Sequence, residues 1–305
     1  MAALELGKSA FGTDALEIAS LFDISGWVVV VTGGGTGIGL CTATALAANG
    51  AKVYISGRRL EPLQAAARDA KPRRGGGQII PVQADISTKE GILKLKSEVE
   101  KEEKWINVLV NNAGVSLKGP NIEAADQTAL GLSTAMFEEE EFEKWSEMHR
   151  INTAAPYFLT SALLPLLSAA QTVGNYPEPG NVVNVASLSG ITRTSQRGQF
   201  SYNSSKAATR SLSEMLAYEF AHRGLGIRVN CINPGYFPSG MSPKDLETKQ
   251  GPEKAEYLRT KHGIPFGRVG NARDYAQCIL GLITNQYMTG TEVLLDGGWL
   301  LESAF

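Results

Sequence analysis

Tyr202 and Lys206 stand four residues apart in the run SYNSSKAATRSLSEMLAYEF, residues 201–220. Four residues is about one helical turn, which puts both side chains on one face of a helix. The pair reads in two ways. It is either ordinary helix surface, where tyrosines and lysines meet by chance, or a phenol held beside a cation for acid–base work. A free tyrosine has a pKa of about 10, and a fixed cation favours the phenolate and draws that value toward neutrality. The rest of the chain decides between them.

A second chemical signal lies near the start. The apolar, β-branched run WVVVVT (27–32) leads straight into TGGGTGIG (32–39) and then into a helix-like stretch. A dinucleotide brings its pyrophosphate against unpaired N–H groups at a helix N-terminus, where side chains would obstruct it. Gly33, Gly37 and Gly39 suit that approach. A glycine triplet alone also fits a plain tight turn, but a strand-to-helix junction inside a βαβ unit selects dinucleotide binding. The next strand ends in YISGRRLE, with Gly57 where a carboxylate would hold the ribose hydroxyls of NAD. Arg58 and Arg59 follow, and guanidinium groups pair well with phosphate. They are either solvated surface or the seat of a 2′-phosphate. The missing acid favours NADP(H) over NAD(H).

These signals need a scaffold, and the hydrophobic pattern supplies one. Short apolar runs at 27–32, 52–56, 78–82, 106–110, 181–186, 226–232 and 291–295 alternate with helix-like segments. Continuous apolar strands separated by helices indicate a mostly parallel sheet of about seven strands, covered on both faces. The expectation is one α/β, Rossmann-type doubly wound domain over residues 23–305, after an N-terminal extension of residues 1–22. The basic loop KPRRGGGQ (71–78) reads as solvated, and residues 115–140 read as a polar insertion with an exposed helix start.

The bulk composition favours a small-molecule partner. The 305 residues carry a formal charge of −2, with 43% hydrophobic and 20% charged residues. That balance offers no general attraction to nucleic acid or to an anionic membrane. Cys41, Cys231 and Cys278 are far apart and form no CxxC, and His149, His222 and His262 are scattered, so no metal site is expected. The N-terminus lacks a basic n-region and a continuous apolar core, and the apolar run at 158–170 is short for a bilayer and contains Pro165. A cytoplasmic location is the expectation.

Beyond the carboxyl ends of the later strands stand NNAG (111–114), NVASLSG (184–190) and NPGYFPS (233–239). In a doubly wound sheet this is where ligands bind. Together with TGGGTGIG and YNSSK, in this order, the motifs resemble the short-chain dehydrogenase/reductase family over about residues 22–299, in the style of its fungal, NADP-preferring members. The resemblance implies hydride transfer between a nicotinamide and a ketone or secondary alcohol. It implies that Tyr202 exchanges the proton, that Lys206 lowers the tyrosine pKa and holds the nicotinamide ribose, and that Ser187 orients the substrate oxygen. Asn152 in RINTAAPYF would hold a water for proton relay. Cofactor contacts would come from Gly33, Thr36, Gly37, Ile38 and Gly39, from Arg58, Arg59 and Asp85, from Asn112, Ala113 and Gly114, and from Pro234, Gly235, Phe237 and Ser239, besides Tyr202 and Lys206. Family members commonly pair into dimers or tetramers through two helices, here about 155–167 and 207–220.

This chain departs from the family's habit in places. Ser187 precedes Tyr202 by a longer gap than usual; Ser189 lies nearer the usual count, but Ser187 holds the motif's place. The glycine loop lacks the serine and basic residue of many NADP-using relatives, and Asn107 replaces an acid that often precedes LVNNAG. The stretch 236–266 reads as a substrate loop. An epimerase or dehydratase with retained nicotinamide, and a non-catalytic NADP(H) sensor, are the alternatives; no member of Ser187, Tyr202 and Lys206 is lost.

Overall fold

The computed structural model describes residues 16–70, 76–240 and 251–302. Residues 1–15 of the expected extension, 71–75 of the basic loop and 241–250 of the expected substrate loop lie outside the described residues. The apolar runs become β1 (Val28–Thr32), β2 (Lys52–Gly57), β3 (Gln78–Gln83), β4 (Val108–Asn111), β5 (Asn181–Val185), β6 (Arg228–Pro234) and β7 (Glu292–Leu295). They form one sheet in the order β3-β2-β1-β4-β5-β6-β7. Every neighbouring pair is parallel. The chain steps outward from β1 to β2 and β3, then returns to place β4 on the other flank of β1. That reversal opens a crevice at the carboxyl ends of β1 and β4.

Side chains alternate across a strand, so each strand feeds two cores. Val29, Val31, Val53, Ile55, Val108 and Val110 pack with Ala43 and Leu46 of α2 (Gly37–Ala48) and Ile279 and Ile283 of α10 (Ala272–Thr284). Val28, Val30, Tyr54 and Leu109 face the other way. They meet Leu95 of α4 (Lys89–Glu100), Leu159 and Leu163 of α7 (Ala155–Thr172), and Leu216 and Phe220 of α8 (Phe200–His222). All five residues of β1 are buried, whereas β7, at the sheet edge, is not, and Leu294 is 42% exposed. Asn107 has a structural job: its buried Oδ1 accepts the Val28 N–H at 2.8 Å and so caps the start of β1.

Two sequence expectations change. Helix α6 (Phe142–His149), a π-helical turn (Arg150–Ala154) and α7 run on without a break. The resulting 31 residues are long and apolar enough to cross a membrane by length and composition alone, although the 158–170 run had read as too short. Pro165 lies inside α7 and does not end it. The apolar side of this helix is used within the fold, since Leu159, Leu163 and Leu167 are fully buried. The stretch 236–266 is also more than a loop. It contains α9 (Gly251–His262), whose buried Leu258 packs with Ile264, Trp299, Leu300 and Leu188. In the 115–140 insertion, α5 (Ala129–Glu138) starts from a Thr128 cap and buries none of its residues.

Candidate active site

The crevice holds one cavity of about 580 Å³. Every site residue expected from the sequence lines it except Asn152, which lies just behind the wall. Its first end is made of backbone. Gly33 has φ +65° and lies where a Cβ would stand 3.0 Å from Ala113 Cα. A Cβ on Gly39 would come within 2.3 Å of the Gly33 carbonyl oxygen, so the first turn of α2 can sit under the loop only without a side chain. The loop is tied to β4 across the switch point. Thr32 Oγ1 accepts the Asn112 and Ala113 N–H groups, each at 3.0 Å. Asn112 Nδ2 donates to Thr32 O at 2.8 Å. The Asn112 amide, expected among the cofactor contacts, thus braces the glycine loop.

At the end of β2 the cavity meets Gly57, Arg58, Arg59 and Asp85. A Cβ on Gly57 would meet nothing nearer than the Leu63 side chain at 3.6 Å, so the absent carboxylate is not a matter of space. Both arginines are exposed, and neither is in an ion pair among the described residues. Burial pushes the Asp85 carboxyl up, but hydrogen bonds from Ser87 and the fields of Arg58 and Arg150 prevail, leaving its pKa below the ordinary value. Ser56 Oγ, also on the wall, is buried without a hydrogen-bond partner. Glycine cradle, unpaired guanidiniums and this orphaned hydroxyl in one continuous cavity fit an extended, phosphorylated dinucleotide.

The other end gathers side chains from separate elements. Ser187 caps a short 3₁₀ turn after β5, its Oγ accepting the Ser189 N–H at 3.1 Å. Tyr202 and Lys206 occupy the first turns of α8, with the ammonium 5.9 Å from the centre of the phenol ring. Lys206 Nζ is buried and donates to the Val185 carbonyl at 3.0 Å. Burial lowers its pKa to about 8, with the neighbouring Cys231 thiol acting weakly in the opposite sense. Burial also pushes the Tyr202 phenol above its ordinary value, and a hydrogen bond with Ser187 draws it partly back. The sequence reading expected Lys206 to lower the phenol; the net shift here is upward, set by burial against the Ser187 hydrogen bond. The Ser187 contact also separates it from Ser189 as the tyrosine's partner.

Asn152 sits in the π turn, a feature common at functional sites. Its Oδ1 accepts the Val115 N–H at 2.8 Å, and its Nδ2 donates to Val115 O and Ser205 Oγ, both at 2.9 Å. Its own carbonyl accepts from Thr209 Oγ1 at 2.8 Å. The Asn152 carboxamide is committed to fixing the segment after β4 against α8. Only the second lone pair of the carbonyl is left for a water.

Two features had no motif to announce them. Arg210, one turn beyond Lys206, donates to Gly190 O and to Glu292 Oε2, both at 2.7 Å. The same Glu292 oxygen accepts from Asn233 Nδ2 at 3.0 Å. This partly buried pair therefore ties α8 to the Ser187 turn and to the end of β6. The second is Gln196, which reaches the cavity from the loop before α8. Among the described residues no cluster of three His, Cys, Asp or Glu could hold a metal.

The short chain dehydrogenase family matches residues 27–250 of the chain. The short-chain dehydrogenase/reductase PhomF of Diaporthe leptostromiformis is 36% identical over 300 residues, covering 94% of this chain and 96% of its own. The NADP-dependent (R)-specific alcohol dehydrogenase of Lentilactobacillus kefiri is 29% identical over 282 residues, covering 92% and 98% respectively. Among solved structures, the RhlG/NADP active-site complex of Pseudomonas aeruginosa matches with a TM-score of 0.74 at 30% identity, covering 92% of this chain and 98% of that one.

Proposed function

The chain belongs to the short-chain dehydrogenase family, and from that premise we propose that it transfers hydride between NADP(H) and a ketone or secondary alcohol. The observation that carries this reading is the single cavity that joins the glycine loop and Arg58 to Ser187, Tyr202 and Lys206. A bound nicotinamide supplies or accepts the hydride. The chain's own residues handle the oxygen. Ser187 donates a hydrogen bond to the substrate carbonyl and holds it beside the phenol. Tyr202, kept protonated by burial, gives its proton to the oxygen as alkoxide character develops. Lys206 places a cation behind the phenol and steadies the ribose, and Asn152 keeps β4 and α8 in register around them. In oxidation the same groups act in reverse.

NADP(H) is favoured by Gly57 and by the two uncommitted arginines, and it is the cofactor named for the Lentilactobacillus relative and the Pseudomonas complex. A homo-oligomer is favoured by apolar side chains left exposed on α7 and α8, among them Tyr157, Phe158, Met215 and Tyr218. The deciding experiment is a screen of diverse ketones followed by NADPH absorbance, with NADH alongside. The expected result is consumption of NADPH with a lower KM than NADH. Equal affinity for the two at low salt would remove the NADP assignment, and no turnover of any ketone would remove the reductase. Light scattering that finds a single chain would remove the oligomer.

A further inference from the structure

The long Ser187–Tyr202 spacing is absorbed at one place. Gln196, Arg197 and Gly198 take φ of +50°, +69° and +93°, three successive left-handed residues of which two carry side chains. Non-glycine residues adopt that conformation only where their surroundings impose it. The surroundings here are explicit. Ser195 Oγ accepts the Gly198 N–H at 3.1 Å, and Ser195 O accepts the Gln199 N–H at 2.7 Å. From outside, the 115–140 insertion clamps the same loop. A Cβ on Gly198 would lie 2.1 Å from Pro120 O, and one on Gly119 would lie 2.1 Å from Gly198 O, so two backbones touch there. Ser116 meets the Gln199 side chain at 3.4 Å, and Arg197 pairs with Glu123 at 3.5 Å. Gln196, at the start of this hump, is half-buried and lines the cavity, and its carboxamide makes no hydrogen bond among the described residues.

Strained backbone thus presents a neutral group, at once donor and acceptor, at the chemistry end of the site. Beside Ser187, Tyr202 and Lys206, whose ammonium is held on the Val185 carbonyl, the lining includes Ser116, Ser189, Gln196 and Tyr236, while Arg58, Arg59 and Asp85 follow the ends of β2 and β3. We propose that Gln196 is a specificity-determining residue that hydrogen-bonds a second, neutral oxygen of the substrate, so that the preferred substrates are neutral ketones bearing an ester, ketone or hydroxyl function. This rests on the reductase reading above.

The test compares ethyl acetoacetate and ethyl levulinate with unbranched methyl ketones of equal chain length, using NADPH and the wild-type, Gln196→Gly and Gln196→Leu proteins. Glycine keeps the left-handed backbone and deletes only the side chain. Wild type should favour at least one oxo-ester over its methyl ketone by ~5- to 10-fold in kcat/KM, the worth of one neutral hydrogen bond. Both variants should lose that ratio, chiefly through KM, and Gln196→Asn should restore part of it. If wild type shows no such ratio, or the variants keep it, Gln196 does not read the substrate, although the reductase stands. If wild type binds NADPH, as its fluorescence would report, yet reduces none of the four ketones, the reductase reading and this inference fall together.

Discussion

The two ends of the cavity are built on different principles. The phosphate end is contiguous: Gly33, Gly37 and Gly39 run from the loop after β1 into the first turn of α2, and what matters there is the absence of side chains. The chemistry end is assembled from distance. Asn152, Ser187, Tyr202, Lys206, Arg210 and Glu292 come from a π turn, a strand end, a helix and the sheet edge, and hydrogen bonds between side chains and carbonyls hold them. A backbone cradle binds whatever offers phosphate oxygens. A side-chain constellation must be aimed, and its aim can be spoiled from outside.

Substitutions should separate the two ends cleanly. The largest effect is expected from Tyr202→Phe, which keeps the ring and removes the proton. Turnover should fall ~10²-fold or more while NADPH affinity by fluorescence titration stays near wild type. Near-normal turnover at saturating cofactor would break the division. The converse probe is Arg58→Ala, which should weaken NADPH ~10-fold or more with little change for NADH, in keeping with the loss of a charge-assisted phosphate contact. Gly57→Asp should narrow the preference further, because the site has room for the carboxylate. Both effects should shrink as salt is raised.

A smaller effect is expected at Arg210, which touches neither the cavity nor the reacting groups. Arg210→Met frees the Gly190 carbonyl and leaves Glu292 without its cation, so the Ser187 turn loses its brace. Turnover should drop ~10-fold through misaligned geometry, with cofactor affinity unmoved and with partial rescue by Arg210→Lys. Loss of NADPH binding in step with turnover would show that the pair serves the fold as a whole. The mildest expectation concerns pH. Lys206, lowered to about 8 by burial, is a cation below that value and neutral above it. Tyr202 is raised and stays protonated across the same range. Reductive turnover at saturating NADPH should be level near neutrality and fall to about half near pH 8. In Lys206→Arg the charge persists, so a pH profile should lose that descent even if the rate is lower.

How far the sequence foretold this follows the same divide. Strands begin within two residues of their apolar runs because alternation and burial are local properties that a run of valines displays. The glycine loop was legible for the same reason, as was the shared face of Tyr202 and Lys206. Depth was not. That Lys206 is buried, with its ammonium on the Val185 carbonyl and Cys231 of β6 close by, rests on residues whose spacing from it follows no period. Asn107 read only as a departure from the family's habit, and the pairing of β1 with β4 gave its amide a partner. The extra length before Tyr202 was visible as a count, but not that it would become a left-handed hump under the insertion.

The bond between Thr32 and Asn112 spans 80 residues of sequence, and this has a kinetic consequence. Every strand pair in the sheet is parallel and therefore non-local, so loop-closure entropy must be met before any contact rewards it. The cradle cannot form from its own loop alone; it waits for β4 to arrive beside β1. Folding should accordingly be slow for a chain of this size, and cofactor should act late, binding the docked crevice and not the chain that precedes it. Adding NADPH to a refolding reaction would then slow unfolding and raise the melting temperature while leaving the folding rate itself almost untouched.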